Sequence, residues 1–185
     1  TLTEFFPDSN KLILKKNRDM EFDGFFFCGR MDFFGKDNEF IYDKFTMNIP
    51  QIDTLIINIP DGDNFDQYGN PRLKPLNTVL ENVSGKLDIN NPKNKSGRVD
   101  LPEYPKLTTN SNSKVYFQSS QIRGGTYKRD DFFYDINPFS LDSLQHLEPS
   151  NLVFDGELHS SDIFSLVTIL SKFLVIVAKP LSKAA

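Results

Sequence analysis

The stretch DGDNFD sets three carboxylates, Asp61, Asp63 and Asp66, within six residues of a polar segment. Hard cations such as Ca²⁺ take several oxygens of this kind, and Asn64 or a backbone carbonyl could add to them. The order fails the EF-hand pattern: Phe65 stands where the third ligand belongs, and no glycine follows it. An Asp-rich surface turn is the plainer reading. Serine chemistry has little support. There is no G-x-S-x-G elbow, and SNSK (Ser111 to Lys114) matches S-x-x-K only inside a polar loop. His146 and His159 lack an evident orienting acid and read as surface or edge residues. Glu81, Glu103, Glu148 and Glu157 offer carboxylate pairs for glycoside hydrolysis, but only distance in space would select one. SGK and RGGTYK lack the spacing of a phosphate-binding loop. NVS (Asn82 to Ser84) and NKS (Asn94 to Ser96) are glycosylation acceptors by pattern alone. Cys28, the single cysteine, admits no intrachain disulfide and reads as a small buried hydrophobe in the run FFFCG. No catalytic, cofactor-binding or metal-binding residue is therefore assigned, no cofactor is expected, and the chain reads as non-enzymatic.

The elements that must position these residues are β-strands. The 185 residues include 18 Phe and 6 Tyr, no Trp, 11 Pro and 10 Gly. Aromatics favour strands, and dispersed Pro and Gly suit frequent turns. Strands are expected near residues 20–35, 38–59, 79–89, 113–118, 131–136 and 151–159, with little helix before 160. PDGDNFDQYGNPRLKP (Pro60 to Pro75), NNPKNKSG (Asn90 to Gly97) and TTNSNSK (Thr108 to Lys114) read as loops. No long 3.6-residue period links successive strands, so the pairing is expected to be antiparallel. The fold class is mainly β: an antiparallel sheet or sandwich, or a solenoid-like segment of a larger array.

Charge narrows the partners. Against 21 Lys and Arg stand 25 Asp and Glu, a net charge of −4, which argues against a phosphate-backbone partner. The cluster KNKSGR (Lys93 to Arg98) reads as a solvated loop. No signal-peptide pattern opens the chain, and the missing initiator Met predicts a fragment or a processed product.

Gly24 to Phe45 holds seven phenylalanines among Arg, Lys, Asp and Glu. In EFIYDKFTMNI each parity is mixed, which predicts a sheet at least partly covered on both surfaces, with charges at edges and loop junctions. The rival expectation is one aromatic face left open for something greasy. A faint echo also runs through the chain: FIYD then IDTL, later FFYD then LDSL, and FDG at Phe22 and at Phe154.

Residues 1–163 are expected to form the Phe-rich β segment, and 164–185 an aliphatic tail. Phe164 to Ala178, with Lys172 inside, is short for a membrane-spanning helix. Leu166, Leu170, Phe173 and Val177 fit a helical stripe capped by Ser161 or Asp162, whereas FLVIV could equally be a buried strand.

The strings GRMDFFGKDNEFIYDKFTMNIPQIDTLIINIP, NNPKNKSG and GGTYKRDDFFYDINPFSLDSL together resemble segments of very large uncharacterised proteins of Bacteroidetes, themselves reminiscent of the AsmA/TamB-like envelope family of long β-rich arrays. The resemblance spans Gly24 to Gly156, about seven-tenths of the chain, and carries no catalytic motif. It implies a cell-envelope location (periplasm or outer-membrane associated), a structural or lipid-handling role, and lipid, membrane-associated proteins and neighbouring β-repeat units as partners. The alternative expectation is a carbohydrate-binding β-sandwich.

Overall fold

The computed structural model describes residues 3–116, 128–160 and 170–174. Thirteen strands form one open antiparallel sheet. They are β1 (Thr3–Pro7), β2 (Ile13–Leu14), β3 (Met20–Cys28), β4 (Met31–Ile41), β5 (Thr46–Phe65), β6 (Pro71–Glu81), β7 (Val83–Asp88), β8 (Lys106–Thr109), β9 (Ser113–Tyr116), β10 (Phe133–Ile136), β11 (Ser140–Leu141), β12 (Val153–His159) and β13 (Leu170–Leu174). Helix is confined, among the described residues, to α1 (Pro92–Lys95) and three-residue turns. The main path runs β1-β3-β4-β5-β6-β9-β10-β12-β13, and a branch leaves β5 through β7 to β8 and β11. β5 makes the branch possible because its 20 residues give β7 one end of an edge and β6 the other.

Alternation builds the core. β3 turns Phe22, Phe26 and Cys28 inward, and β4 answers with Met31, Phe33 and Phe40. Phe26 and Phe33 are direct cross-strand partners whose rings stack at 4.6 Å and 3°. Such a pair contributes about 0.5–1.5 kcal/mol beyond area burial. Leu55, Leu80, Val115 and Tyr134 continue the buried layer across β5, β6, β9 and β10.

The expected strand at 20–35 is a hairpin of β3 and β4, turned at Gly29–Arg30. Gly29 has φ 63, and a Cβ there would lie 2.7 Å from the Leu144 carbonyl, so the turn admits the covering chain only because it lacks a side chain. Arg30 N–H donates to that carbonyl at 2.9 Å, and Arg30 Nη1 donates to the Leu147 carbonyl. The segment after β11 is thereby fastened over the hairpin.

Other boundaries also moved. The expected strand 38–59 is the end of β4, a turn and most of β5. The expected loop Pro60 to Pro75 is instead a hairpin arm, with β5 running to Phe65 and β6 starting at Pro71. Its prolines sit at register shifts between Ile56/Asn58 and Pro60/Phe65, where a missing amide donor costs little. Thr108–Thr109 and Ser113–Lys114 likewise belong to strands rather than to a loop. Leu170–Leu174 pairs with Val153–Glu157, so the helical stripe is overturned at Leu170 and Phe173. Leu166, Val177, Ser161 and Asp162, and Phe117 and Gln118 of the expected strand 113–118, lie outside the described residues.

The echo divides. FIYD closes β4 and enters a turn, whereas FFYD leads into β10 with Tyr134 in the core. The two FDG copies do match: each lies in a strand, with Phe and Gly buried and Asp exposed between them.

Candidate functional site

The rings that are not in the core gather on the opposite, outer face of the same hairpin. Phe25 and Phe27 alternate with Phe26 and Cys28 along β3, Phe34 follows Phe33 on β4, and Phe6 comes from β1. Registers Phe6↔Phe25 and Phe25↔Phe34 set three of the rings in one row across three strands. Ring centroids are 5.2 Å apart for Phe6–Phe25, 4.7 Å for Phe25–Phe34 and 6.4 Å for Phe25–Phe27. Phe6 is 48% exposed and Phe34 40%, while Phe25 and Phe27 are half-buried by their neighbours. The rival expectation of an open aromatic face therefore holds here. The charges expected at edges stand within the strands instead: Asp32, Lys36 and Glu39 all lie inside β4.

A bulge ends the aromatic row. The β3–β4 register shifts between Phe22 and Gly24, where Gly24 adopts φ 129 and a Cβ would fall 2.6 Å from the Phe6 carbonyl. Beyond the bulge lies a cleft of about 460 Å³ lined by Asp8, Ser9, Lys11, Ile13, Glu21, Phe22, Asp23, Asp37 and Glu39. Its acids are largely engaged. Lys15 Nζ pairs with Glu21 and, at 2.9 Å, with Glu39, which also accepts from Asn48. Those bonds, Lys15 first, hold the Glu39 carboxyl below its ordinary range. Asp23 accepts the Asp37 backbone N–H at 2.7 Å.

The residues singled out for chemistry are dispersed. Asp66 accepts the Tyr68 and Asn70 backbone N–H groups at 2.8 and 2.9 Å, closing the β5–β6 turn, and those bonds hold its pKa down, Asn70's first. Asp61 pairs with Lys74 at 2.7 Å and with Asn64, and its pKa is lowered in consequence. Asp61 and Asp66 are thus taken up by the hairpin, and no group of three metal-ligating side chains occurs among the described residues. Cys28 is buried, and desolvation pushes its thiol up to about 11. His159 stacks on Phe133 at 4.5 Å. His146 borders a second cleft of about 330 Å³ with Ser140, Asp142 and Ser143, whose hydroxyl donates to the Pro102 carbonyl at 3.2 Å. Glu81 grips Arg129 through both carboxylate oxygens, and Glu148 pairs with Arg30 at 3.3 Å. Glu103 and Glu157 sit in a loop and on β12. In the sequon NKS the Asn94 amide donates to Asn90 and Leu101, whereas Asn82 of NVS is exposed at φ 58.

No family model, curated protein or solved structure matches this chain. The outer-face row had a sequence signal: in FFFC the rings at 25 and 27 must face opposite to 26 and 28. Phe6 had none, because only the β1–β3 register brings it in.

Proposed function

We propose that this chain is a non-enzymatic β segment of a cell-envelope protein, structural in part, that presents its outer aromatic row to lipid. The observation that carries the reading is the cluster Phe6, Phe25, Phe27 and Phe34, four contacting rings left partly open on one face. Phenyl rings offer area and dispersion but no hydrogen bond to orient a polar ligand, so the row suits acyl chains better than sugar hydroxyls. The resemblance to Bacteroidetes envelope proteins supports the location, and the open sheet supports neighbouring β units as partners in a longer array. Among the described residues β13 pairs only with β12, so that end of the sheet is where such a unit would continue.

The test is co-flotation of the chain with phosphatidylcholine vesicles. Covering the remaining exposed area of two such rings contributes about 1–2 kcal/mol, so Phe25→Ser with Phe34→Ser should weaken partitioning roughly tenfold. Equal partitioning of the native and variant chains would sink the lipid reading.

One feature favours the carbohydrate reading: the aromatic row adjoins the carboxylate-lined cleft at Asp8 and Asp23. Glycan binding that Asp23→Asn abolishes, without vesicle partitioning, would establish that alternative.

A further inference from the structure

We propose that the β1–β2 edge is a self-association surface that takes a second copy of this chain about a two-fold axis. The proposal does not rest on the lipid reading, although Phe6 belongs to both surfaces.

β1 and β2 lie end to end on the same edge of β3, Thr3–Pro7 against Cys28–Gly24 and Ile13–Leu14 against Glu21–Met20. Between them Asp8–Asn10 forms a tight turn, with Ser9 at φ 54 and Asn10 at φ 55. Neither strand has a second partner among the described residues. Ile13 and Leu14 are 49% and 67% exposed, and with Phe6 and Leu12 they concentrate exposed apolar side chains on one edge.

The sequence of that edge is complementary to its own reverse. An antiparallel second copy with the axis between Ser9 and Asn10 sets Phe6 opposite Ile13, Phe5 opposite Leu14 and Pro7 opposite Leu12. The same register sets Asp8 opposite Lys11 and Glu4 opposite Lys15. Each apolar residue meets an apolar one, and each acid meets a lysine. The faces agree as well. Asp8, Lys11 and Ile13 line one cleft, on the side where Ile13 is registered with Glu21. Phe6 stands on that same outer side, beside Phe25.

Pro7 and the central turn are features that normally blunt an edge against uninterrupted strands. They do not obstruct this partner. The interruption falls on the axis, where both copies carry it, and leaves a short ladder on each side, β1 with β2 of the second copy and the reverse. A two-fold contact of this kind is closed and stops at the dimer.

The test uses the full 185-residue chain in the absence of lipid, by sedimentation velocity over a concentration series. A monomer–dimer equilibrium is expected. Asp8→Lys creates two like-charge contacts by symmetry and should raise the dimer Kd roughly tenfold. Adding Lys11→Asp to it should restore the native Kd, which only this register predicts. Ile13→Lys should leave a monomer. On the unmodified chain, amide exchange at residues 3–6 and 13–14 should slow as concentration rises. A monomer whose edge amides exchange equally fast at every concentration overturns the proposal. Open-ended growth, or a dimer indifferent to Asp8→Lys, overturns it as well.

Discussion

Replacing Asn38 by leucine should stabilise this protein. Asn38 sits on β4 opposite Phe22, is 0% exposed, and neither its side-chain oxygen nor its nitrogen has a hydrogen-bond partner. It is one of few polar side chains in a core of Phe, Met, Ile and Leu. An amide buried without partners forfeits its hydration, about 1–3 kcal/mol, whereas a leucine of similar size forfeits none and adds apolar burial. Asn38→Leu should therefore gain about 1–3 kcal/mol. For a chain of this length each kcal/mol moves Tm by about 2–4 °C, so a rise of about 2–12 °C is expected. Urea denaturation followed by circular dichroism would check it, the midpoint rising with the slope unchanged. Asn38→Asp is the opposing control, since it leaves a charge where even the neutral amide is unpaired, and it should lower Tm. A fall in stability for Asn38→Leu would refute the reasoning, because the amide would then be satisfied, by an internal water for instance.

Two further predictions concern the cleft and the bulge beside it. Glu39 is held below its ordinary value of 4.5, chiefly by Lys15 and then by Asn48. A carboxyl with a depressed folded pKa contributes stability that is present above about pH 4.5 and is lost as pH falls through the folded value. Lys15→Met should thus flatten the loss of Tm between about pH 5 and about pH 3, and an identical pH profile for native and variant would contradict the assignment. Gly24→Ala should cost about 1–3 kcal/mol, since it adds a clash with the Phe6 carbonyl to an unfavourable φ. Gly62→Ala, at φ 59 with nothing within 4 Å, bears backbone strain alone, so thermal melts should rank Gly24→Ala as the more harmful.

The class of fold was legible because its signals are local. Phe-rich alternation and dispersed turn residues need no knowledge of partners, and the FDG strands show the pattern plainly. Boundaries failed where bulges break parity. Thr46 and Met47 are adjacent and both buried, and the β4–β5 register shifts between Phe34 and Gly35, so a strict period of two could not be followed through β5. The arm from Pro60 to Pro75 carries the signals of a loop for a related reason. Pro, Gly and Asp mark turns in general, yet an exposed two-stranded ribbon tolerates them at its register shifts.

The outer aromatic row shows the limit of legibility most clearly. That Phe25 and Phe27 oppose Phe26 follows from strand geometry alone, and so does the fact that one set must leave the core. Which set is exposed does not follow, because it depends on where Leu144 and the chain after β11 come to rest, more than a hundred residues downstream. Phe6 joins the row only through a register that a one-residue slip would invert. Gly24 is registered with Pro7 at the end of β1, and a Cβ there would fall 2.6 Å from the Phe6 carbonyl, so the close approach of β1 to β3 in this register needs a residue without a side chain. The residue that decides whether four rings form one surface is thus a glycine with no side chain to contribute. Substituting it should disperse the row as well as destabilise the sheet, so vesicle partitioning of Gly24→Ala should fall even under conditions where the variant remains folded.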